Sequence, residues 1–554
     1  MGMPGDYANP AREAADLNDE KLELAYEEGH DADVTSNRSS PPRQRSHNNV
    51  DLEKGIGASS LHDESTLGGE EAGPTAAREG EEGEGEEQDP NIVDWDGPDD
   101  PENPQNWTTG KKWGNIAILS AVTLITPLGS SFFAPGVPQV MASFHEDSNL
   151  LATFVVSVYV LGFAVGPLII APMSEMYGRM PIYNVCNLLF VIFTVACAVS
   201  SNLGMLIAFR FLAGCAGASP LTIGGGTIAD IMPREKRAGA MAVWGMGPLL
   251  GPVLGPVAAG FLVEAKGWRW VFWILAIFGG FFSLLLAIFG RETYPTTLLE
   301  RKAARLRKET SNPHLRSKLA LNKTPTELFK LSIVRPMKLL FGSPIVLLMS
   351  IYISINYGIL YLLFTTITYV FEGQYHFSTS IVGLSYLGTG IGMIGGMVAL
   401  GILSDKIIKR HQATGKVKPE HRLPLILTLP GSIGLPIGLF LYGWSTQNKL
   451  HWIAPIIGTS LVGLGNLTGM MTVQTYLVDA FTLHAASAIA ANTVLRSMFG
   501  ALLPLSGLTM YDKLGLGWGN SLLGFIALAL VPVLVFFRYY GERIRTNPRW
   551  QVNL

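Results

Sequence analysis

Apolar stretches close to the roughly 20 residues that an α-helix needs to cross a bilayer recur twelve times along this chain. They fall near 113–134, 151–171, 181–200, 203–229, 239–263 and 269–290, then near 345–369, 380–402, 423–444, 451–479, 485–508 and 518–540. In hydrocarbon every backbone N–H and C=O must be satisfied internally, so spanning segments are helices or closed barrels. Uninterrupted apolar runs of this length read as helices. The polar stretch 291–342 divides them six and six. The expected fold class is therefore an all-α membrane protein with 12 transmembrane helices in two six-helix halves. Composition agrees: 48% of residues are apolar and 15% charged, against roughly 25% charged in soluble proteins. The 61 glycines suit helices that pack closely in lipid.

Five regions follow. Residues 1–105, with EEGEGEEQD at 81–89, hold too few large apolar groups to offset ordering entropy and read as a disordered acidic tail. Residues 106–290 form the first bundle, 291–342 the connection, 343–540 the second bundle and 541–554 a C-terminal tail. The opening MGMPGDYANP lacks the basic start and apolar core of a secretory signal, so the first membrane helix is expected to direct insertion. Twenty-six Lys and Arg fall in the loops of one side, and only Lys266, Arg269, Lys449 and Lys513 in those of the other. By the positive-inside rule the basic side is cytoplasmic, and an even helix number puts both termini there. Within 291–342, LLERKAARLRKE carries an apolar stripe with basic flanks. It suits a helix lying on an anionic leaflet or a solvated linker.

An internal repeat supports the six-plus-six layout. APMSEMYGRMP ends the second helix and GILSDKIIKR the eighth; Glu175 and Asp405 are 230 positions apart. GGGTIADIMP ends the fourth and QTYLVDAFT the tenth, with Asp230 and Asp479 separated by 249. Related halves of this kind place the substrate site at their interface. The order NPQNW, PMSEMYGR, RFLAGCAGASPLTIGGGTIAD, GPLLGPVLGPVAAGF, RETYPTTLLERKAARLRKET and ANTVLRSMFGALLPL, across roughly 98–545, resembles the major facilitator superfamily. Within it the chain is similar to the fungal twelve-helix drug:proton antiporters, which export drugs, polyamines and secondary metabolites.

The resemblance implies roles. In PMSEMYGR, Glu175, Gly178 and Arg179 match a gate between helices 2 and 3, with Asp230 as a further member; Met176 and Met180 stand where the family usually has basic residues. Asp405 and Lys406 repeat the theme in the second half. Arg210 lies roughly 10 Å into helix 4 at 1.5 Å per residue, where an arginine is costly unless it faces protein or water. The resemblance implies a part in proton coupling; snorkelling or bonding to backbone carbonyls is the other reading. Helix 5 carries Gly251, Gly255, Pro256 and Gly260 at the positions of the antiporter motif, with Ala259 where Gly is usual. Generic small-residue packing would use the same pattern.

Spacing alone offers a substrate cavity. Tyr352 and Asn356, and Tyr357 and Tyr361, are four apart in helix 7, so each pair shares a face. Asn466, Met470 and Gln474 repeat that spacing in helix 10, as do Asn492 and Arg496 in helix 11. The tyrosines fit a cavity wall or an interfacial belt. Arg496, roughly 16 Å into its helix, fits an anion site or a tie between the halves. Helices 1, 7 and 8 have no carboxylate near their middles; Glu264 and Glu372 lie near the outer ends, and His484 near the start of helix 11. No proton carrier is therefore visible.

Cys186, Cys197 and Cys215 all sit in apolar runs and read as packing residues, with neither a disulfide framework nor a metal site. No GxSxG, HExxH or CxxC arrangement suggests an enzyme. The expected partners are a small-molecule substrate, protons and the lipid bilayer, with no cofactor, metal or nucleic acid, for a monomer in the plasma membrane. The leading function is proton-coupled efflux by alternating access. A polyamine, organic-acid or nutrient transporter and a non-transporting sensor remain the alternatives.

Overall fold

The computed structural model describes residues 91–320, 324–413, 418–550 and 552; within these, side chains of 234, 235, 238, 325, 404–413, 427 and 483 are not described. Ten candidate spans emerge among the described residues. The first eight are Thr109–Phe144, Asn149–Tyr177, Arg179–Ala198, Leu203–Ile231, Gly239–Lys266, Arg269–Phe289, Pro344–Tyr375 and Thr379–Leu403. Ile453–Ala480 and Ala485–Arg545 complete them. The last is two spans. Gly515 breaks it at φ 74°, ψ 169°, a conformation that suits glycine. Gly500 packs on Tyr357 of Pro344–Tyr375 before the break, whereas afterwards Gly517 N–H donates to Gln447 Oε1 (2.6 Å) and Arg545 reaches Glu420 (3.4 Å). The chain has therefore reversed. With the apolar 23-residue helix Leu425–Gln447, the described residues hold twelve helices of membrane length, here numbered spans one to twelve in chain order.

Local chemistry sets where several begin. Ser148 Oγ accepts from Leu151 N–H (3.4 Å) and Asn202 Oδ1 from Met205 N–H (2.8 Å), each satisfying a helix N-terminal donor. Spans two and four cross at glycines. A Cβ on Gly162 would lie 2.5 Å from the Gly214 carbonyl carbon, so only paired glycines permit this approach. Span seven is the most enclosed, with 72% of its apolar window buried, against 33% for span six. Span six instead turns Ile277, Phe278, Phe281, Leu284 and Ile288 outward, where lipid rather than water suits them.

We refer to the face where span one starts and span twelve ends as the terminal face. Four hydrogen bonds join the spans of one half to those of the other among the described residues. They are Ser130–Tyr361 (2.9 Å), Thr368 Oγ1 to the Ala134 carbonyl (3.5 Å), Ser380 N–H to Glu264 (2.8 Å) and Asn149 to Asp512 (2.9 Å). All lie in the part of the bundle away from the terminal face.

One sequence expectation changes at that face. Residues 91–105, read as tail, are structured: β1 (Ile92–Val93) pairs in parallel with β2 (Arg316–Ser317) of the connection. The compositional reading averaged over a hundred residues and missed a short charged clasp. Lys302, with its side chain buried, contacts Asp96 (2.7 Å), Asp100 (3.3 Å) and the Asp94 carbonyl (3.1 Å). Burial opposes charge on Asp100. Even so, the Asp96 and Glu102 N–H groups and the Lys302 ammonium hold its carboxyl below the ordinary 3.8. Burial likewise opposes charge on Lys302, and Asp96 and Asp100 hold it above 10.5. The connection helix Pro295–Thr310 buries Leu299 and Ala303 within the protein. Two positions of its apolar stripe are thus covered by chain, while Leu298 and Leu306 stay half-exposed.

Candidate functional site

At the terminal face of the first half, Gly178 ends span two at φ 96°. A Cβ there would collide with the Glu292 carboxylate. The glycine lets that carboxylate sit over the start of span three. Its Oε1 accepts from Arg179 N–H (2.9 Å), Thr293 N–H (3.0 Å) and Tyr294 N–H (3.0 Å), and its Oε2 from Met180 N–H (3.2 Å). An anion is favoured at these orphan helix donors. Arg179 turns away to Asp230 (3.3 Å) and the Ser174 hydroxyl (2.9 Å), with its guanidinium 4.5 Å above the Tyr294 ring. Thr293 also donates to Asp230 (3.5 Å). Glu175 is exposed, and its charge faces Arg179 and Arg335 of the connection helix Pro325–Gly342. Arg179 is therefore paired with Asp230 rather than Glu175. Glu292 is the member that sequence reasoning missed: it stood in RETYP, with nothing nearby in sequence to say that it caps a distant helix.

The second half repeats the pair. Arg422, before span nine, meets Asp479, at the end of span ten, at 2.6 Å. Buried Glu420 accepts from Arg545 (3.4 Å), and Lys418 pairs with Glu542 (2.7 Å). The Asp230–Asp479 repeat could have flagged this cluster. Asp405 and Lys406 lie just past span eight, on the continuation of its helix to Ala413, and their side chains fall outside the described residues.

In the interior, Arg210 is 1% exposed. Its Nη2 donates to the carbonyls of Val156 (3.2 Å) and Ser130 (3.5 Å), and Phe133, Tyr159 and Phe272 ring its guanidinium at 4.8, 5.4 and 5.7 Å. Carbonyl bonding is the reading the geometry supports over snorkelling. Beside it lies a cavity of about 10 Å³ lined by Thr194, Cys197 and Leu275 among others, room for no more than one water. Arg210 forms no ion pair among the described residues.

A chain of contacts runs from here into the second half. Ser130 Oγ is 2.9 Å from Tyr361 Oη, Tyr357 Oη donates to Tyr361 Oη at 3.5 Å with the rings 4.9 Å apart, and the Arg496 guanidinium lies 4.8 Å from the Tyr357 ring. Arg496 Nη1 reaches Met470 Sδ (3.8 Å). Asn466 Nδ2 donates to the Asn356 carbonyl (2.6 Å), and Asn492 Nδ2 to Ser350 (3.3 Å).

The expected cavity set thus separates. Tyr357, Gln474 and Arg496 are half-buried, though Gln474 makes no hydrogen bond to the others. Tyr352 is buried, bonded to Ser432 of span nine (2.8 Å) and packed on Gly469, all within the second half. Asn356, Asn466 and Asn492 are buried between spans seven, ten and eleven, and Tyr361 bridges the halves. Shared spacing identified helix faces; which neighbour each face met depended on packing. Ser130, one of two serines before FFAP, gave no signal of its bridging role.

The span-five motif divides between two neighbours. A Cβ on Gly251 would lie 2.7 Å from Leu128 N, and one on Gly255 2.8 Å from Ser131 Oγ, both in span one. Pro256 has no N–H for the Pro252 carbonyl one turn earlier, and Ser131 Oγ donates to that carbonyl instead (3.2 Å). One turn on, the contact passes to the other half: a Cβ on Gly260 would lie 2.7 Å from the Thr379 carbonyl, and one on Gly383 the same distance from the Pro256 carbonyl. Among the described residues no three His, Cys, Asp or Glu side chains converge as a metal site requires.

The fold has counterparts among solved structures. The fold resembles the inward-facing, unoccupied form of a bacterial homologue of the human lysosomal transporter Spinster, with a TM-score of 0.57 at 15% identity, covering 81% of this chain and all of that one. It also resembles the inward-open xylose transporter XylE of E. coli, with a TM-score of 0.58 at 16% identity over 77% and 96% of the two chains. Sequence likeness is much stronger to fungal proteins. The chain is 57% identical over 462 residues to the MFS-type transporter tndD of Aspergillus flavipes, covering 82% of this chain and 86% of that protein. It is 55% identical over 497 residues to the efflux pump radE of Floropilus chiversii, covering 89% and 90%. The profile described as Major Facilitator Superfamily matches residues 119–504. The chain belongs to the Major Facilitator Superfamily of membrane transporters.

Proposed function

We propose that this protein is a proton-coupled exporter of small organic molecules, working by alternating access in the plasma membrane with the terminal face in the cytoplasm. The excess of Lys and Arg supports that orientation. A fungal relative named as an efflux pump supports export. The observation that carries the mechanism is the one-sided set of bonds between the halves. All four lie away from the terminal face, while the Arg179–Asp230 and Arg422–Asp479 pairs each stay within one half. Such a molecule is closed outside and able to open inside, and residues 106–290 and 343–540 are the two units that rock.

In this reading Glu175, Gly178, Arg179, Asp230, Asp405 and Lys406 act at the cytoplasmic gate. Gly251, Gly255, Pro256 and Gly260 let span five pivot on span one and seal against span eight. Arg210 senses the proton-driven step, because any rearrangement of spans one or two must move its two carbonyl acceptors. Tyr357, Gln474 and Arg496 face the substrate. The test is efflux from transporter-null yeast producing the full chain, loaded with dyes, azoles, polyamines and organic acids, with and without an uncoupler. Uncoupler-sensitive export of any class supports the proposal. Uncoupler-insensitive equilibration of a substrate would show a facilitator instead, and no export from correctly placed protein would rule against transport of these classes.

A further inference from the structure

We propose that Arg496 is the recognition point for an organic anion, so that the exported compounds carry an ionised acid group beside an aromatic or apolar body. The proposal rests on the exporter reading for its biological meaning, though not for its geometry. At roughly 16 Å into span eleven, Arg496 lies near the middle of a hydrocarbon core about 30 Å thick. A guanidinium carries five N–H donors. One of Arg496's is spent on a thioether, a weak acceptor; its Nε is buried without a hydrogen-bond partner, as is that of Arg210. The cation forms no salt bridge with any described carboxylate. Its hydrogen-bond and ring partners, Met470 and Tyr357, belong to its own half.

Arg210 shows what an arginine kept for internal use looks like: two carbonyl acceptors, three rings, and room for a single water. Arg496 has one ring, one sulfur and a half-buried position. A charge held there at a cost of several kcal/mol is relieved when a carboxylate or an acidic phenol or enol oxygen arrives, and bidentate geometry favours such groups. The Tyr357 ring and Met470 supply a flat and a polarizable surface for the rest of the molecule. Its depth puts the site beyond the reach of lipid headgroups. Occupation would also act on Tyr357, which is hydrogen-bonded to the bridging Tyr361.

The experiment measures binding of three compounds with one ring system and three charges: 2-naphthoate, its methyl ester and 2-naphthylmethylamine. The full chain is held in phosphatidylcholine nanodiscs, free of anionic lipid, and binding is read from thermal stabilisation over a concentration series. Naphthoate is expected to bind at least about tenfold more tightly than the ester, as a charge-assisted hydrogen bond implies. Arg496→Gln should erase that preference, and Arg496→Lys should keep part of it. Equal binding of the ester or amine, absence of naphthoate binding, or a preference that survives Arg496→Gln would overturn the assignment. The yeast efflux panel separates the two readings. Export of neutral or cationic compounds alone, unchanged by Arg496→Gln, would leave an exporter and remove the anion site. Arg496-dependent naphthoate binding without export would keep the site and remove the exporter.

Discussion

The two halves carry the same ion pair at the same place, but they build its surroundings with opposite charge. In the first half a carboxylate, Glu292 from beyond span six, caps the start of span three next to Arg179–Asp230. In the second, the group arriving from the end of span twelve is a cation, Arg545, and it meets Glu420 beside Arg422–Asp479. The interior shows the same divergence. Each half has one deep arginine, sealed in the first and half-open in the second. Duplication explains the shared frame. The differences mark where the halves diverged in role. In the proposed reading the first half's arginine is the charge the protein itself senses, and the second half's is the one offered to substrate.

The largest effect should come from erasing the sealed charge. Arg210→Gln removes the cation from the Val156 and Ser130 carbonyls. Losing two charged hydrogen bonds at about 1.5 kcal/mol each would lower uphill export about a hundredfold for every substrate. Uncoupler-sensitive flux at matched membrane abundance checks it. Export at normal rate would place coupling elsewhere and break the division of labour between the halves.

A smaller and graded effect should separate the two gate pairs. Arg179 and Asp230 have side chains only 13% exposed, whereas Arg422 and Asp479 are 31% and 35% exposed. Screening grows with exposure, so Asp479→Asn should cost under about 1 kcal/mol. Asp230→Asn should cost more, since Thr293 also donates to this carboxylate. The measurement is cysteine accessibility of the terminal face in otherwise cysteine-free variants. Asp230→Asn should shift the population more than Asp479→Asn; equal shifts would mean that the third charge in each cluster does not matter.

Much of this was legible in sequence because membrane helices are long, apolar and bounded by charge, and each of those is a local property. PMSEMYGR pointed to the cluster around Arg179, and the Asp230–Asp479 spacing pointed to its counterpart at Arg422. Glu292 was not legible, since its meaning lies in N–H groups over a hundred positions earlier. Tyr352 and Tyr361 illustrate the same limit. Both sit on span seven with a tyrosine or asparagine four residues away, yet one meets Ser432 inside its own half and the other meets Ser130 across the interface. Periodicity fixes which residues share a face; the partner of that face is a tertiary fact. The clasp at 91–105 was hidden for another reason, because composition over the whole tail outweighed a dozen residues that are held by Lys302.

The bridge between the halves can be tested as a pair. Tyr361→Phe keeps the ring and removes the hydroxyl, and Ser130→Ala removes its partner. Each should destabilise the outside-closed form by about 1 kcal/mol, the usual net worth of a buried hydrogen bond. The double variant should cost no more than either alone. Spin labels on opposite halves, away from the terminal face, read the separation by pulsed electron resonance. Additive effects would show that the two hydroxyls act independently and that the contact chain from Arg210 to Arg496 is interrupted there.

The smallest effect on transport should come from the clasp, and its pH dependence has a defined sign. Asp100 is held below its ordinary 3.8, so its contribution is complete above that value and is lost as pH falls through the lower folded value. Lys302 is held above 10.5, so its contribution is complete below 10.5 and is lost as pH rises through the higher folded value. Between these limits the clasp should be indifferent to pH. The protection factors of the Arg316 and Lys318 amides, which donate to the Asn91 and Val93 carbonyls, should therefore stay constant from mildly acidic to mildly alkaline conditions and fall only at the extremes. Asp100→Asn, which keeps the shape and removes the charge, should speed exchange throughout that window while changing export by no more than about twofold, as expected of a contact remote from the substrate path. A larger loss of export would mean that the pairing of β1 with the connection restrains the halves as they rock. The terminal-face comparison would then have to include a third element, the segment before span one.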